Sequence, residues 1–224
     1  MPTLSSLHLG YLSLGSLLWV AMFAGCGERT LPGDAGPQVK FKDEVQTNSP
    51  AKEDDLKSLK FVDGKGQPVD LKAFQGQKNV VLVITRGYVS NGNADAGQGT
   101  FCTYCSTQTS RLIANYSQFQ SRDTEVLVVF PVARESDSGQ LAGFAAKVQG
   151  EGKKPDEVPF PLLLDVDLHA VDALGIRADL SKPATYILDK QGEVRFAYVG
   201  QSATDRPSVK ALLAQLDLIN KTAK

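Results

Sequence analysis

Two uninterrupted runs of β-branched and aliphatic residues constrain the fold of this chain more than any other feature. They are NVVLVIT at residues 79–85 and EVLVVFPV at residues 125–132. A continuous apolar run of this length is typical of a strand that is buried on both faces of a sheet. FPLLLD at residues 160–165 predicts a third strand of the same kind.

Amphipathic segments and two hairpins complete the pattern. Apolar residues at helical spacing predict four helices: Thr103 to about Ser121, Leu141 to Val148, a short one from Leu168 to Leu174, and a last one from Val209 to Leu216. Turn residues predict hairpins within residues 59–71 and 184–200. Strands that alternate with helices imply parallel pairing with right-handed crossovers, and the closing hairpin makes the sheet mixed. The expected fold is an α/β domain with a central mixed sheet flanked by helices.

The N-terminus has the composition of an export signal. Residues 1–26 contain no charged side chain, and the apolar run at residues 11–24 is too short for a comfortable membrane span. The run ends in FAGC, which resembles a bacterial lipobox, so Cys26 is the candidate lipidated residue. A generic signal and an uncleaved anchor are the alternatives. We therefore predict a signal peptide at residues 1–25 and an exported protein of the cell envelope or periplasm, held to a membrane by lipid.

The next segment is polar, and the domain is expected to follow it. Residues 26–55 are rich in Gly, Pro and charged residues, which predicts a flexible linker ahead of a domain at residues 56–224. The formal net charge of the chain is −1. A nearly neutral chain gives no indication of nucleic-acid binding.

Cys102 and Cys105 form a C-x-x-C pair at the predicted start of a helix. Unpaired N–H groups and the helix dipole stabilise a thiolate there, which makes Cys102 the candidate nucleophile. Cys105, one turn further on, is placed to resolve an adduct on Cys102 by forming a disulfide. Two inert core cysteines are the plain alternative. A zinc site lacks ligands, because the chain beyond the signal keeps only this pair and His169; no metal or organic cofactor is expected.

The order of these motifs resembles the thioredoxin-like superfamily, and within it the redoxins of the alkyl hydroperoxide reductase and thiol-specific antioxidant group. The resemblance rests on VVLVIT, the C-x-x-C pair, EVLVVF, LLLDVDLHAVDALGI and KPATYILDKQGEVRFAYVG, and covers roughly residues 59–218. It implies a thioredoxin-like fold with a redox-active Cys102–Cys105 disulfide. It also implies that Pro183 faces the cysteines and that the Lys182–Pro183 bond is cis.

The same resemblance leaves the substrate open. Typical peroxiredoxins carry Pro-x-x-x-Thr/Ser-x-x-Cys, whereas this chain has Asp95 and Gly99 at the proline and hydroxyl positions, and Lys182 and Pro183 where an arginine is usual. A peroxiredoxin-like branch carries Arg-Gly followed by Cys-Pro-Tyr-Cys. TRG at residues 85–87 and FCTYC at residues 101–105 resemble its two halves, and residues 88–99 separate them. The resemblance assigns supporting positions to Arg86, Phe101, Thr103 and Tyr104.

The sequence therefore supports three hypotheses. The first is a thiol–disulfide oxidoreductase that acts on protein disulfides or dithiols. The alternative is a peroxiredoxin-like thiol peroxidase that uses the same cysteines, and the third is a binding module with a structural disulfide. Either enzyme needs an external thiol reductant as partner.

Overall fold

The computed structural model describes residues 39–49, 56, 58–90, 99–150 and 157–222. The strands in these residues are β1 (Lys60–Asp63), β2 (Pro68–Asp70), β3 (Asn79–Ile84), β4 (Tyr88–Ser90), β5 (Gly99–Phe101), β6 (Thr124–Val132), β7 (Leu162–Val166), β8 (Ala184–Leu188) and β9 (Val194–Val199). The α-helices are α1 (Thr103–Ala114), α2 (Tyr116–Gln120), α3 (Gln140–Gln149), α4 (His169–Ala173) and α5 (Val209–Thr222).

Seven strands form one mixed sheet in the order β2-β1-β7-β6-β3-β8-β9. The neighbours β3, β6 and β7 are parallel, whereas β8 and β9 form an antiparallel hairpin on β3, and β1 with β2 an antiparallel pair on β7. The predicted α/β class, with a mixed central sheet flanked by helices, is confirmed.

The core lies on both faces of the sheet, because alternate side chains of a strand point to opposite faces. On β3, Val81 and Val83 join one apolar cluster, which includes Leu112 of α1 and Leu212 of α5. The intervening β3 residues join the second cluster, which includes Val171 of α4. Helices on both faces explain why β3 is apolar throughout residues 80–84 and β6 throughout residues 126–132.

Several strands begin or end at the same end of this sheet, which we call the edge; it consists of strand ends and not of an outer strand. The parallel strands β3 and β6 both end there. Strand β8 begins and strand β9 ends at the same edge, because Ala184 pairs with both Ile84 and Val199. The loop at residues 200–208 therefore lies on the same edge as the residues that follow β3. This edge positions the site described below.

The structure differs from the predictions at two places and contains one strand pairing that the sequence did not predict. The helix expected from Thr103 to Ser121 is two helices, because Asn115 leaves helical geometry with φ −113° and ψ 12°. The ends of the segment at residues 88–99 pair as β4 with β5. Residues 39–49, expected to be linker, pack on the domain, and Phe41 is buried among them.

The predicted signal and lipid anchor lie outside the described residues, as does Cys26. Within the ranges that the structure describes, no helix combines the length and the apolar character that a bilayer span requires.

Candidate functional site

Cys102 is the N-terminal cap of α1, as the sequence predicts. Its backbone has φ −55° and ψ 116°, and its carbonyl accepts the first helical hydrogen bond, from the N–H of Ser106 at 3.0 Å. The side chain thus lies beside the unpaired N–H groups of the first turn. The residue is only 7 % exposed.

Cys105 lies one turn further along α1 and is buried. Its Sγ accepts a hydrogen bond from the backbone N–H of Arg86, at 3.3 Å, which links the helix to the end of β3. Both cysteines are free thiols in this structure. The predicted pair is therefore brought together on one helix turn.

Arg206 is the third member of the site, and its side chain is 1 % exposed. Its Nη2 donates to Cys105 Sγ at 3.0 Å, its Nη1 to Gln108 Oε1 at 2.7 Å, and its Nε to the carbonyl of Ala203 at 2.8 Å. None of these acceptors is a carboxylate, and among the described residues no acidic side chain pairs with this guanidinium. A buried cation needs a compensating negative charge. The thiol pair is the group placed to carry it.

The two thiols ionise in opposite directions. A hydrogen bond from the Cys105 thiol, together with the Cys105 backbone N–H and the charges of Arg206 and Arg86, lowers the pKa of Cys102 to about 5 against the effect of burial. Burial, and the hydrogen bond to Cys102, raise the pKa of Cys105 well above its ordinary value. These opposite shifts favour a thiolate at Cys102 and a protonated thiol at Cys105 near neutral pH.

Arg86 lies where β3 ends and contributes to the site mainly through its backbone. Its guanidinium forms a long ion pair with Asp179, at 3.6 Å, and its side chain is partly exposed. Its charge still lowers the pKa of Cys102, by less than that of Arg206.

The residues around the cysteines have different roles in packing. Phe101 ends β5 and packs its ring against Tyr88, Phe130 and Phe144, with centroids 5.1 to 6.0 Å apart. Tyr104 is half-buried against the same apolar cluster, and Thr103 is exposed. Phe101 thus fixes the strand that leads into Cys102.

The prediction of a cis bond between Lys182 and Pro183 is wrong. No peptide bond is cis among the described residues. Trans is the preferred form of an X–Pro bond, and here it is compatible with hydrogen bonds on both sides. The Lys182 N–H donates to Ile176, and the Pro183 carbonyl accepts from Gly200, each at 2.8 Å. Pro183 lies buried at the start of β8, on the edge that carries the cysteines, and Lys182 beside it is half-buried.

Sequence reasoning missed Arg206. The residue stands in TDRPS at residues 204–208, a loop with no recognisable motif. One signal was available, because a loop that follows the second strand of a closing hairpin returns to the edge where β3 ends. Only the fold shows that the side chain turns inward there.

No cluster of residues in the described part of the chain has the ligands for a metal ion.

Several solved structures with the same fold are peroxiredoxins. The mitochondrial 2-Cys peroxiredoxin of Plasmodium falciparum matches with a TM-score of 0.53 and 19 % identity, over 73 % of this chain and 89 % of that one. Peroxidoxin BcpB of Mycobacterium tuberculosis matches with a TM-score of 0.52 and 18 % identity, over 78 % and 97 % of the chains. Peroxiredoxin Q of Xanthomonas campestris gives 0.53 and 17 %, over 80 % and 99 %. At these identities the likeness concerns the fold.

No curated protein matches this chain. A family model does match: the AhpC/TSA family covers residues 49–197. That match spans more than half of the chain and runs from the segment before β1, through both cysteines, into β9. Together with a sheet and a helix-capping cysteine that follow the expected order, it establishes that the chain belongs to the AhpC/TSA family.

Proposed function

We propose that this protein is a thiol peroxidase in which Cys102 is the peroxide-reactive thiolate and Cys105 the resolving thiol. The observation that carries the proposal is that Cys102 is only 7 % exposed at the start of α1, in a site where a buried guanidinium donates to the paired cysteine; this setting lowers the pKa of Cys102. A hydroperoxide presents two small oxygen atoms to such a sulfur, whereas a protein disulfide must bring a sulfur with its attached chain into line with it. Membership of the AhpC/TSA family and the peroxiredoxin names of the matched structures support the same choice.

The reaction proceeds in two steps on the cysteine pair. The Cys102 thiolate attacks the terminal oxygen of the hydroperoxide, the O–O bond breaks, and an alcohol or water leaves after taking a proton from solvent. Cys102 is thereby oxidised to a sulfenic acid. The Cys105 sulfur then attacks the Cys102 sulfur, a disulfide forms, and water leaves. An external thiol reductant returns both cysteines to thiols.

The side chains of the site divide between these steps. Arg206 and Arg86 supply positive charge beside the thiolate of Cys102 and compensate its burial. After Cys102 is oxidised, Arg206 still donates to Cys105 Sγ and favours the thiolate that must attack. Thr103 and Tyr104 stand between the cysteines and hold their spacing at one helical turn.

Reaction with peroxide and with a protein disulfide, followed in parallel, tests the proposal. The reduced protein is mixed with hydrogen peroxide or with a model protein disulfide, quenched with an alkylating agent, and analysed by mass spectrometry. We expect Cys102–Cys105 disulfide formation by peroxide to exceed the oxidation of free cysteine by at least about a hundredfold. Fast exchange with the protein disulfide and slow reaction with peroxide would instead establish the thiol–disulfide oxidoreductase.

Two cysteine variants identify the roles of the sulfurs. Cys105→Ser should stop at a sulfenic acid on Cys102, which dimedone labels once per chain. Cys102→Ser should give no label and no disulfide. Equal labelling of both variants would remove the assignment of Cys102 as the nucleophile.

We also propose that the protein acts outside the cytosol on a lipid anchor at Cys26. The support is the apolar run at residues 11–24 and the FAGC motif at its end. Metabolic labelling with a fatty-acid analogue should mark the wild-type protein and leave Cys26→Ala unlabelled; equal labelling of both would remove Cys26 as the anchor.

A further inference from the structure

Residues 39–49, which we call the strap, lie against the loop at residues 200–208 that carries Arg206. We propose that Lys42 of the strap is a positioning residue, which holds this loop so that Arg206 points at the cysteines and keeps its charge for them. The inference rests on the proposed use of Cys102 as a thiolate nucleophile. Neither Lys42 nor Arg206 lies within the residues that the family model matches, 49–197.

The backbone of Lys42 brackets Arg206. The Lys42 N–H donates to the Arg206 carbonyl at 2.9 Å, and the Ser208 N–H donates to the Lys42 carbonyl at 2.8 Å. Lys42 and Pro207 form a parallel bridge between these bonds. The strap thus fixes the backbone on both sides of the Arg206 carbonyl, and with it the direction from which the guanidinium enters the site.

The side chain of Lys42 binds the acidic residue next to Arg206. Its Nζ lies 2.7 Å from Asp205 Oδ1 and donates to the Tyr198 hydroxyl at 2.9 Å. The Tyr198 hydroxyl donates to the same carboxylate at 2.6 Å, and the Gln201 N–H donates to Oδ2 at 2.9 Å. Although burial opposes it, these bonds and the charge of Lys42 hold the pKa of Asp205 below its ordinary value. The carboxylate is therefore charged, and its charge is balanced by Lys42.

This arrangement leaves the Arg206 guanidinium free to bind the cysteine pair instead of the Asp205 carboxylate. The carboxylate adjacent in sequence is occupied by Lys42, Tyr198 and Gln201, so the three donors of Arg206 go to Ala203, Gln108 and Cys105. Removal of the Lys42 charge would leave Asp205 as an unbalanced negative charge next to Arg206. Such a charge disfavours ionisation of the cysteines, which otherwise face Arg206 and Arg86.

The test measures Cys102 ionisation without any peroxide. Full-length reduced protein is alkylated with iodoacetamide at pH 4.5 and at pH 9, and the Cys102 peptide is quantified by mass spectrometry. For Lys42→Met we expect the rate at pH 4.5 to fall roughly threefold, which corresponds to a rise of about half a unit in the pKa of Cys102. The rate at pH 9, where the thiol is ionised in both proteins, should not change. Lys42→Arg should restore the rate.

Lys210→Met is the matched control. Lys210 lies on α5, and its Nζ is 3.6 Å from the Asp43 carboxylate of the strap. Its side chain is 77 % exposed, and this ion pair does not involve the loop at residues 200–208. Its removal should leave both rates unchanged. A Lys42→Met protein that alkylates like wild type at both pH values, or a Lys210→Met protein that shows the same loss, would overturn the proposal.

A second variant keeps the test decisive if Lys42→Met fails to fold. Lys42→Gln removes the charge that balances Asp205 and keeps a polar side chain that can still donate to the Asp205 carboxylate and the Tyr198 hydroxyl. It should lower the rate at pH 4.5 in the same direction, and an unchanged rate would contradict the proposal. Because the readout is alkylation, a wild-type protein that ignores peroxide would refute the proposed function and leave this inference standing.

Discussion

The charge state of the cysteine pair depends on which hydrogen-bond donors and positive charges lie beside each sulfur. The neighbouring Cys105 thiol and backbone N–H lower the pKa of Cys102, whereas Cys105 Sγ accepts hydrogen bonds from the N–H of Arg86 and from Arg206. The pair thereby holds one negative charge close to a buried guanidinium. A charge that is shared within such a network is stabilised by every donor that points toward it. Two cysteines of the same type, three residues apart, thus acquire distinct chemistry.

Replacement of Arg206 by Met tests this charge balance. The change removes the cation that most lowers the pKa of Cys102 among the charged groups, so that pKa should rise from about 5 by roughly one unit. Since the thiolate is the charged form, its fraction should fall between pH 5 and pH 6 and recover at higher pH. The measurement is the thiolate absorbance near 240 nm of the reduced protein as pH is raised. Arg206→Lys should shift less, and an Arg206→Met titration identical to wild type would refute the role of Arg206.

At the scale of elements, the position of Cys102 depends on how closely α3 approaches β5. Gly143 of α3 faces the Phe101 ring, and a Cβ at that position would lie 2.9 Å from Phe101 Cζ. Phe101 is itself held by the rings of Phe130 and Phe144. The strand that delivers Cys102 to the start of α1 is therefore fixed by a close contact that only glycine permits.

Gly143→Ala compares two opposite contributions to the free energy of unfolding, the helix propensity of alanine and the contact with the Phe101 ring. Alanine in a helix interior ordinarily stabilises by about 1 kcal/mol relative to glycine. Here the added methyl must displace the Phe101 ring, so we expect a net loss of about 1 kcal/mol of unfolding free energy and slower alkylation of Cys102. Gly139→Ala is the control, because Gly139 has φ −59° and open space around its Cβ position. Urea unfolding that ranks Gly143→Ala at or above this control would contradict the account.

At the scale of the whole molecule, the sequence predicted those features whose signal lies within a short segment of the chain. The apolar runs of β3 and β6, the closing hairpin and the C-x-x-C pair each carry their signal within a few residues, and the structure contains all of them. The contribution of Arg206 depends on a loop meeting α1 across 101 positions of sequence, which no local pattern encodes. The Lys182–Pro183 bond likewise lies between hydrogen bonds to residues that no local pattern identifies, Ile176 and Gly200.

The packing of the strap on the domain was not predicted, because it too depends on contacts distant in sequence. Residues 39–49 have the polar composition of a linker, and the single large side chain that anchors them, Phe41, gives no periodic signal. In the fold, the guanidinium of Arg111 lies 5.0 Å from the centre of the Phe41 ring, and its Nη2 donates to the Val39 carbonyl at 2.7 Å. This aromatic ring and the cation on α1, together with the bonds of Lys42 to the loop at residues 200–208, make a polar segment part of the domain.

Phe41→Ala tests whether the strap contributes to the stability of the domain. Phe41 is 4 % exposed, and removal of a buried ring of this size costs about 3 kcal/mol where the surroundings cannot close the gap. We expect a loss of that order in the free energy of unfolding by urea, with an unchanged denaturant slope if the rest of the domain stays folded. Leu218→Ala, at a side chain that is 55 % exposed, serves as the control and should change stability little. If both variants unfold at the same urea concentration, the strap is peripheral to the domain. If only Phe41→Ala is weakened, the folded unit begins before residue 49, and the segment that holds Arg206 in place is part of what folding itself secures.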